Sequence, residues 1–245
     1  MSIQLYEELS MNALPALQTQ IYDGWVLRFS KGYTNRANSV NPLYPAALPL
    51  EEKVAFCERL YAAQGLPTAF KITEAAPAGL DDYLDARGYE IVTPTRVFTC
   101  PAPPAGEACG DVVITRDTAV WREDGFRLSN TDAKMIPIAS AMMDRIQGNV
   151  LCAKILADGR AVACGQCVEE RGHAGLYGIV VDPAYRRCGL GYALCKALLI
   201  EAAGNGAEAF YLQVVADNGP AAALYRKLGF VPCYGYHYRV LKGVT

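Results

Sequence analysis

The sequence predicts an α/β protein with a mixed β-sheet that carries helices on both sides. Three observations support this fold class. Apolar strand-like segments alternate with amphipathic helix-like segments along the chain, which is typical of mixed sheets covered by helices. Asp158-Gly159 separates two apolar runs and is a strong β-hairpin signal. A segment with three prolines and two glycines, 99–110, divides the chain into two halves of ordinary domain size.

The C-terminal half has the predicted order β-α-α-β-β-β-α-β-α-β. Its strands are predicted at 112–115, 149–157, 160–170, 175–181, 210–216 and 234–241. Its helices are predicted at 118–130, 132–145, 192–203 and 220–228, and Asp132 is the expected N-cap of the second. This order predicts a mixed sheet with helices on both faces.

The N-terminal half has predicted strands at 24–29, 36–40, 68–72 and 90–98 and helices at 50–64 and 79–87. Its last five elements repeat the β-α-β-α-β order that ends the other half. The segments at 82–89 and 223–230 are also similar, and we interpret this as a weak internal duplication. The alternative is that both halves share only a helix-glycine-aromatic-strand pattern. We expect domains at 1–100 and 111–245, joined by a linker at 101–110.

Composition limits the classes of partner. The 245 residues carry a net charge of −2 and are 52% hydrophobic, so we expect a large core and no nucleic-acid partner. The first 20 residues do not resemble a signal peptide, and no apolar run reaches the length of a membrane span. We therefore expect a cytoplasmic protein without a membrane partner.

The cysteine pattern argues against disulfides and against a bound metal. Nine cysteines without a secretory signal do not form a disulfide framework. Cys164 and Cys167 form the one CxxC motif, but they lie in one predicted strand. Side chains three apart on a strand point to opposite faces, so we expect no metal site.

The run 179–192 carries the clearest chemical signal. An apolar strand ends at a proline, and a turn with two arginines and two glycines leads into a helix. Such a turn can direct backbone N–H groups at a pyrophosphate bound to the helix N-terminus. Gly189 and Gly191 would let the backbone approach the phosphates, and Arg186 and Arg187 could add charge-assisted contacts. The alternative for the loop alone is an ordinary connection with solvated arginines.

The second half resembles the GCN5-related N-acetyltransferase (GNAT) family over roughly residues 112–241. The family's Arg/Gln-x-x-Gly-x-Gly/Ala loop is matched by Arg186-Arg-Cys-Gly189-Leu-Gly191. Its Asn-x-x-Ala-x-x-Leu-Tyr-x-x-x-Gly-Phe segment is matched by Asn218, Ala221, Leu224, Tyr225, Gly229 and Phe230. The resemblance implies an acyl-CoA N-acyltransferase fold in which two strands splay apart around acetyl-CoA.

The resemblance also implies the roles of individual residues. The expected acetyl-CoA-binding residues are Ile179, Val180, Val181, Arg186, Arg187, Cys188, Gly189, Leu190, Gly191, Tyr192, Asn218 and Tyr225. Main-chain groups of the first three would hold the acetyl-pantetheine arm, 187–192 the pyrophosphate, and Asn218 the pantetheine. Tyr225 would be the general acid for the departing thiolate, because a phenol is protonated at pH 7. The alternative for Tyr225 is packing in the core.

The implied chemistry is direct attack of a neutral amine on the thioester in a ternary complex. The base that removes the amine proton is not identified by the sequence. Four candidates lie on or beside strands that should border the cleft: Glu169, Glu170, His173 and Asp217. A solvated turn is the alternative for the two glutamates, and surface or packing roles are the alternative for the histidine.

The first half has neither a glycine nor an arginine pair where the cofactor loop would fall, so we predict a non-catalytic GNAT-like half and one active site per chain. Three polar residues of this half are candidates for an acceptor pocket: Arg36, Asn38 and Ser39. A hairpin at a sheet edge is the alternative explanation for them.

The leading hypothesis is an enzyme that acetylates a small-molecule amine or amino acid, or a protein amine. One alternative is an acyl-CoA-binding sensor without turnover. Another is an aminoacyl-tRNA-dependent transferase, since such enzymes also pair two domains of this fold, although the phosphate loop and the slightly acidic charge argue against it. An exposed last strand suggests a homodimer.

Overall fold

The computed structural model describes residues 2–107 and 110–241. They form two compact units, one made of Met1–Arg96 with Tyr234–Thr245 and the other of Val97–Cys233. The boundaries expected from the sequence follow the proline-rich segment, whereas these units divide within two long strands. Residues 108–109 of the expected linker and 242–245 of the expected second domain lie outside the described residues.

The first unit contains three helices and a sheet. Its helices are α1 (Ile3–Ala13), α2 (Leu50–Ala63) and α3 (Leu80–Ala86). Its strands are β1 (Gln18–Tyr22), β2 (Trp25–Phe29), β3 (Val40–Pro42), β4 (Ala69–Ile72), the first part of β5 (Glu90–Cys100) and the second part of β11 (Val231–Val240). Strand β2 pairs antiparallel with β1 and β3, and β3 pairs parallel with β4.

One sequence prediction for this unit needs correction, and two of its elements were not predicted. The segment 36–40 is not a strand, because Asn35–Ala37 forms a 3-10 helix and β3 begins only at Val40. Helix α1 and strand β1 were not predicted. Ser2 caps α1 by accepting a hydrogen bond from the Leu5 N–H, which fixes where the helix begins.

The second unit contains the end of β5 and the longer elements of the chain. Its other strands are β6 (Val112–Thr115), β7 (Asn149–Ala157), β8 (Arg160–Glu170), β9 (His173–Val181), β10 (Ala209–Val215) and the start of β11 (Val231–Val240). Its helices are α4 (Thr118–Leu128), α5 (Ile136–Met143), α6 (Leu190–Gly204) and α7 (Gly219–Lys227). The order β10-β9-β8-β7-β6 is parallel at β10–β9 and antiparallel elsewhere, which confirms a mixed sheet.

Helix α5 begins later than the sequence predicts. Asp132 is not its N-cap, because the residue at that position is Met135. The Asp132 carboxylate instead accepts a hydrogen bond from the Lys134 N–H, within the turn that precedes the helix. A short polar side chain stabilises this turn at the expense of the first helical turn.

The sheet of the second unit has a different core on each face. One face packs under α6 and α7 through residues such as Leu176, Leu198 and Phe210. The other face packs against Trp121 of α4. Cys164 lies in the Trp121 cluster, whereas Cys167 lies in the α6 cluster, so the two thiols do not converge.

Within the described residues, no group of three or more His, Cys, Asp or Glu side chains could hold a metal ion. The same residues include no helix with the length and apolarity needed to span a membrane.

Candidate active site

Strands β9 and β10 separate toward their C-terminal ends. Their parallel register runs from His173 with Ala209 to Leu176 with Leu212. Beyond that pair, β9 continues to Val181 and β10 to Val215. The two strands therefore leave a gap between their last residues, which we call the fork.

A β-bulge in β9 lies at the narrow end of the fork. Gln166 pairs with Tyr177 and Cys164 with Val180, so Gly178 and Ile179 together face Gly165. A Cβ on Gly165 would lie 2.5 Å from Ile179 Cδ1, and Gly178 has φ +58°. This two-against-one arrangement reorients the strand. As a result, Ile179 and Val181 pack toward the α6 face, and Val180 packs toward Trp121.

The loop after β9 leads to the N-terminus of α6. Gly189 occupies the N-cap position with φ +81°. The first turn that follows, Leu190-Gly-Tyr192, carries no acidic side chain, and within the described part of the chain no side chain caps this helix. The first backbone N–H groups of a helix have no intrahelical acceptor and lie at the positive end of its dipole. This helix start can therefore bind an anion.

The arginines and the cysteine of this loop are exposed. Arg186 Nε donates to the Val181 carbonyl at 3.3 Å, which ties the loop to the end of β9. Cys188 Sγ contacts the Arg186 carbonyl at 3.6 Å. Arg187 has φ +67°, an uncommon conformation for a residue with a side chain. Two guanidinium groups thus lie within a few residues of the uncapped helix.

The structure favours glycine at positions 189 and 191 for different reasons. A Cβ on Gly189 would meet no atom within 4 Å among the described residues, so its conformation and not its space requires glycine. A Cβ on Gly191 would lie 3.0 Å from Leu224 Cδ1 and 3.7 Å from Val181 Cγ2. Gly191 therefore permits the close packing of α6 on α7 and β9, and its Cβ position does not face the loop. Leu190 and Tyr192 also pack against the α6-side core.

Asn218 and Tyr225 belong to α7. Asn218 is the N-cap, and its Oδ1 accepts the Ala221 N–H at 3.2 Å. Tyr225 is 9% exposed in the α6-side core, and its ring meets Phe230 edge to face at 6.2 Å between centroids. Burial, and secondarily Cys195, raises the pKa of Tyr225. Its hydroxyl is therefore a proton donor across the neutral range.

Three of the four base candidates lie where β8 ends and β9 begins, at the end of β9 that is opposite the fork. Glu169 pairs with Ala174 and Glu170 with His173, where β9 is still paired with β10. His173 precedes Ile179 by six residues, which is about 20 Å along a strand. These three residues therefore lie away from the fork. The sequence does not show which end of the strand opens. Asp217 is exposed and follows the open end of β10.

Two tyrosines at the fork were missed by the sequence analysis. Tyr177 Oη donates to Tyr211 Oη at 2.8 Å, and the rings lie edge to face at 6.2 Å. They stand on the sheet face opposite α6, because their neighbours Leu176 and Leu212 pack under that helix. A tyrosine in an otherwise apolar strand was a sign of a polar contact in each case. The sequence does not show that the two tyrosines pair, because this depends on the register between β9 and β10.

The polar residues expected to line an acceptor pocket lie in the first unit. Asn38 is buried, where its Oδ1 accepts two backbone N–H groups at 2.7 and 3.0 Å and its Nδ2 donates to Thr34 at 2.8 Å. Ser39 is fully buried, and its carbonyl accepts the Arg28 N–H at 3.1 Å. Arg36 is exposed, and its carbonyl accepts from the Arg28 guanidinium. Asn38 thus supports the loop after β2, and Ser39 is hydrogen-bonded to β2 itself.

Comparisons with known proteins agree with this architecture. The profile of a family described as "Probable histone acetyltransferase Rv0428c C-terminal" matches residues 2–239. The uncharacterized N-acetyltransferase YobR of Bacillus subtilis (strain 168) is 30% identical over 244 residues, covering 97% of this chain and 98% of the relative. The structure of a GCN5-related N-acetyltransferase from Kribbella flavida has a TM-score of 0.72 at 18% identity, covering 99% of this chain and 97% of that one.

A shorter match involves the [ribosomal protein bS18]-alanine N-acetyltransferase of Escherichia coli (strain K12). It is 47% identical over 57 residues, which are 23% of this chain and 38% of that relative. Together, fold, motifs and relatives define an N-acetyltransferase. The chain belongs to the GCN5-related N-acetyltransferase family, within the group that the Rv0428c C-terminal profile describes. The family resemblance and the fold class predicted from the sequence are confirmed.

Proposed function

We propose that this enzyme transfers the acetyl group of acetyl-CoA to a primary amine, by direct attack of the neutral amine in a ternary complex. The observation that carries the proposal is the fork between β9 and β10, which opens beside the uncapped N-terminus of α6. A pantetheine arm needs a narrow slot, and a pyrophosphate needs clustered N–H donors and positive charge. The residues present fit both needs.

The proposed pyrophosphate site is formed by the loop residues 186–189 and the first turn of α6, 190–192. Its donors are backbone N–H groups at the positive end of a 15-residue helix. Gly189 supports this assignment because its left-handed conformation starts the helix beside open space. A phosphate oxygen can approach there without meeting a side chain.

The proposed arm site follows from the fork itself. The arm would run from the loop along the main chain of 179–181 toward the narrow end, and backbone groups that no longer pair with β10 would hold it. When bound, acetyl-CoA supplies the activated acyl group. Asn218 supports the site because its capping contact uses Oδ1, so Nδ2 is the group that would donate a hydrogen bond to the arm.

We propose Tyr225 as the general acid for the leaving thiolate. Its raised pKa keeps the hydroxyl protonated, and its ring is fixed by packing in the core. A positioned acid of this kind contributes about 10²–10⁴-fold to a rate. Asp217 is the base candidate that we retain, because it follows the open end of β10.

The first unit is proposed to be a non-catalytic GNAT-like domain. Its elements β3-α2-β4-α3-β5 follow the same order as β9-α6-β10-α7-β11, and both orders begin with a parallel strand pair. This supports the tandem arrangement that the sequence similarity suggested.

A direct assay should first identify the acceptor amine. Release of free CoA thiol from acetyl-CoA should be measured with amino acids, polyamines, aminoglycosides and a peptide with N-terminal alanine, the residue named for the bS18-specific relative. We expect turnover with at least one of these amines. Tight acetyl-CoA binding without turnover across the panel would favour a sensor, and salt-sensitive tRNA binding would favour an aminoacyl-tRNA-dependent enzyme.

A further inference from the structure

The hydrogen-bonded phenols of Tyr177 and Tyr211 stand at the narrow end of the fork. Tyr211 pairs with Gly175, two residues before Tyr177 on the same face of β9. Tyr177 is the first residue of β9 beyond the last pair with β10, and it is half-buried, whereas Tyr211 is 2% exposed. The pair therefore has one phenol within the sheet face and one at the edge of the gap.

Gly175 makes this phenol pair possible. A Cβ on residue 175 would lie 2.5 Å from Tyr211 Cζ, 2.7 Å from Tyr211 Oη and 2.8 Å from Tyr177 Cε2. Both rings thus lie over the backbone of Gly175, where any larger residue would displace them. The absence of a side chain at Gly175 leaves room for the rings of Tyr177 and Tyr211. This packing fixes the phenol oxygens relative to the fork.

The two faces of the fork differ in chemistry. Tyr225 lies on the α6 and α7 side, among apolar residues such as Leu212 and Leu228. The opposite side carries the phenol pair, and Gln166 lies in register with Tyr177. In the proposed orientation, an arm that enters from the α6 loop would extend toward the narrow end of the fork, where Tyr177 lies. The proposed acid would then approach the thioester sulfur from one face, and the other face presents the phenol pair beside the apolar Trp121 cluster.

We infer that Tyr177 contacts the acceptor amine and that Tyr211 positions Tyr177. This inference rests on the proposed acetyl transfer. A phenol that donates its proton to a neighbour still accepts through its oxygen lone pairs. Tyr177 Oη donates to Tyr211, so it accepts an N–H of a primary amine and leaves the nitrogen lone pair directed at the carbonyl. No bond is made or broken at either phenol.

The test compares Tyr177→Phe, Tyr211→Phe and the double variant with Tyr83→Phe as the control. Tyr83 is a partly buried tyrosine of α3 in the first unit, and its ring contacts Arg87. The acceptor probe is the amine of the screening panel that the wild-type enzyme uses best. The measurements are kcat and KM for that amine, the Kd of acetyl-CoA by calorimetry, and the Tm of each variant.

We expect Tyr177→Phe to lower kcat/KM for the amine by about tenfold, mainly through KM, because one substrate hydrogen bond is lost. Tyr211→Phe should lower it by about threefold, and the double variant should be no worse than Tyr177→Phe, since Tyr211 acts through Tyr177. The acetyl-CoA Kd should stay within about twofold of wild type, and the control should match wild type. A purely structural role would lower Tm and acetyl-CoA affinity together.

Wild-type kcat/KM in Tyr177→Phe would overturn the inference, and so would single effects that multiply in the double variant. If Tyr177→Phe fails to fold, Tyr211→Phe decides alone, and an unchanged amine KM in that variant overturns the inference. If the wild-type enzyme transfers acetyl to no amine, the proposed function fails and this inference falls with it. Transfer by wild type with no change in either variant would refute only the acceptor assignment.

Discussion

Replacing Gly189 by alanine tests whether the N-terminus of α6 binds the pyrophosphate. A Cβ there meets no described atom within 4 Å, so the cost comes from the φ of +81° and not from overlap. Holding an alanine in this left-handed conformation costs about 1–2 kcal/mol. If acetyl-CoA requires that conformation and the unbound loop relaxes from it, the same free energy is lost from binding. Since about 1.4 kcal/mol is tenfold in affinity, calorimetry should show a Kd raised by roughly 5- to 30-fold.

Gly206 serves as the control outside the proposed site, and Gly191 tests a position inside it whose Cβ would face the core. Gly206 follows the other end of the helix with φ +100°, and a Cβ there also meets no described atom within 4 Å. Gly206→Ala should therefore cost similar stability and leave the Kd unchanged. Gly191→Ala should also keep the Kd within about twofold, because its Cβ meets the flexible end of Leu224 and alanine favours a helix by about 1 kcal/mol. A larger loss at Gly191 or Gly206 than at Gly189 would refute the loop assignment.

Three other substitutions test separate parts of the chain. Tyr225→Phe should lower kcat by about 100-fold in a thiol-release assay without changing the acetyl-CoA Kd, since the ring keeps its contact with Phe230; full turnover would show that Tyr225 only packs. Asn218→Ala should lower the free energy of unfolding by about 1 kcal/mol through loss of the helix cap, whereas Asn218→Asp should keep the cap and raise only the acetyl-CoA Kd. Lys71→Met should cost about 3 kcal/mol in urea denaturation, because it leaves the buried Glu7 carboxylate without its 2.5 Å ion pair; a loss below about 1 kcal/mol would contradict this.

The sequence predicted best those elements that local chemistry determines. The hairpin at Asp158-Gly159 is an example, because both residues adopt positive φ, +51° and +76°, as a tight two-residue turn requires. The flanking strands β7 and β8 have the predicted bounds. The strand at 36–40 was wrong because Asn38 replaces ladder pairing with side-chain hydrogen bonds to the preceding loop, and such local competition is invisible to an alternation pattern.

Only those parts of the candidate site that depend on residues close together in the sequence could be predicted. The loop before α6 and the position of Tyr225 in α7 follow from one strand-loop-helix segment and one helix. The fork, the bulge at Gly178 and the phenol pair depend on register between separate strands, and Tyr177 and Tyr211 are 34 residues apart. The same limitation applies to His173, since the end of β9 that opens is determined by its pairing with β10.

The first unit shows why the order of elements does not by itself create an anion site. Helix α2 occupies the position in the order β3-α2-β4 that α6 occupies in β9-α6-β10. However, α2 carries Glu51 and Glu52 in its first turn, where carboxylates are stabilised by the helix dipole and repel a phosphate. The next cation, Lys53, is fully buried in a 2.9 Å ion pair with Asp23, so it does not offset that repulsion. The side chains of the first helical turn therefore favour α6 over α2 as the proposed pyrophosphate site.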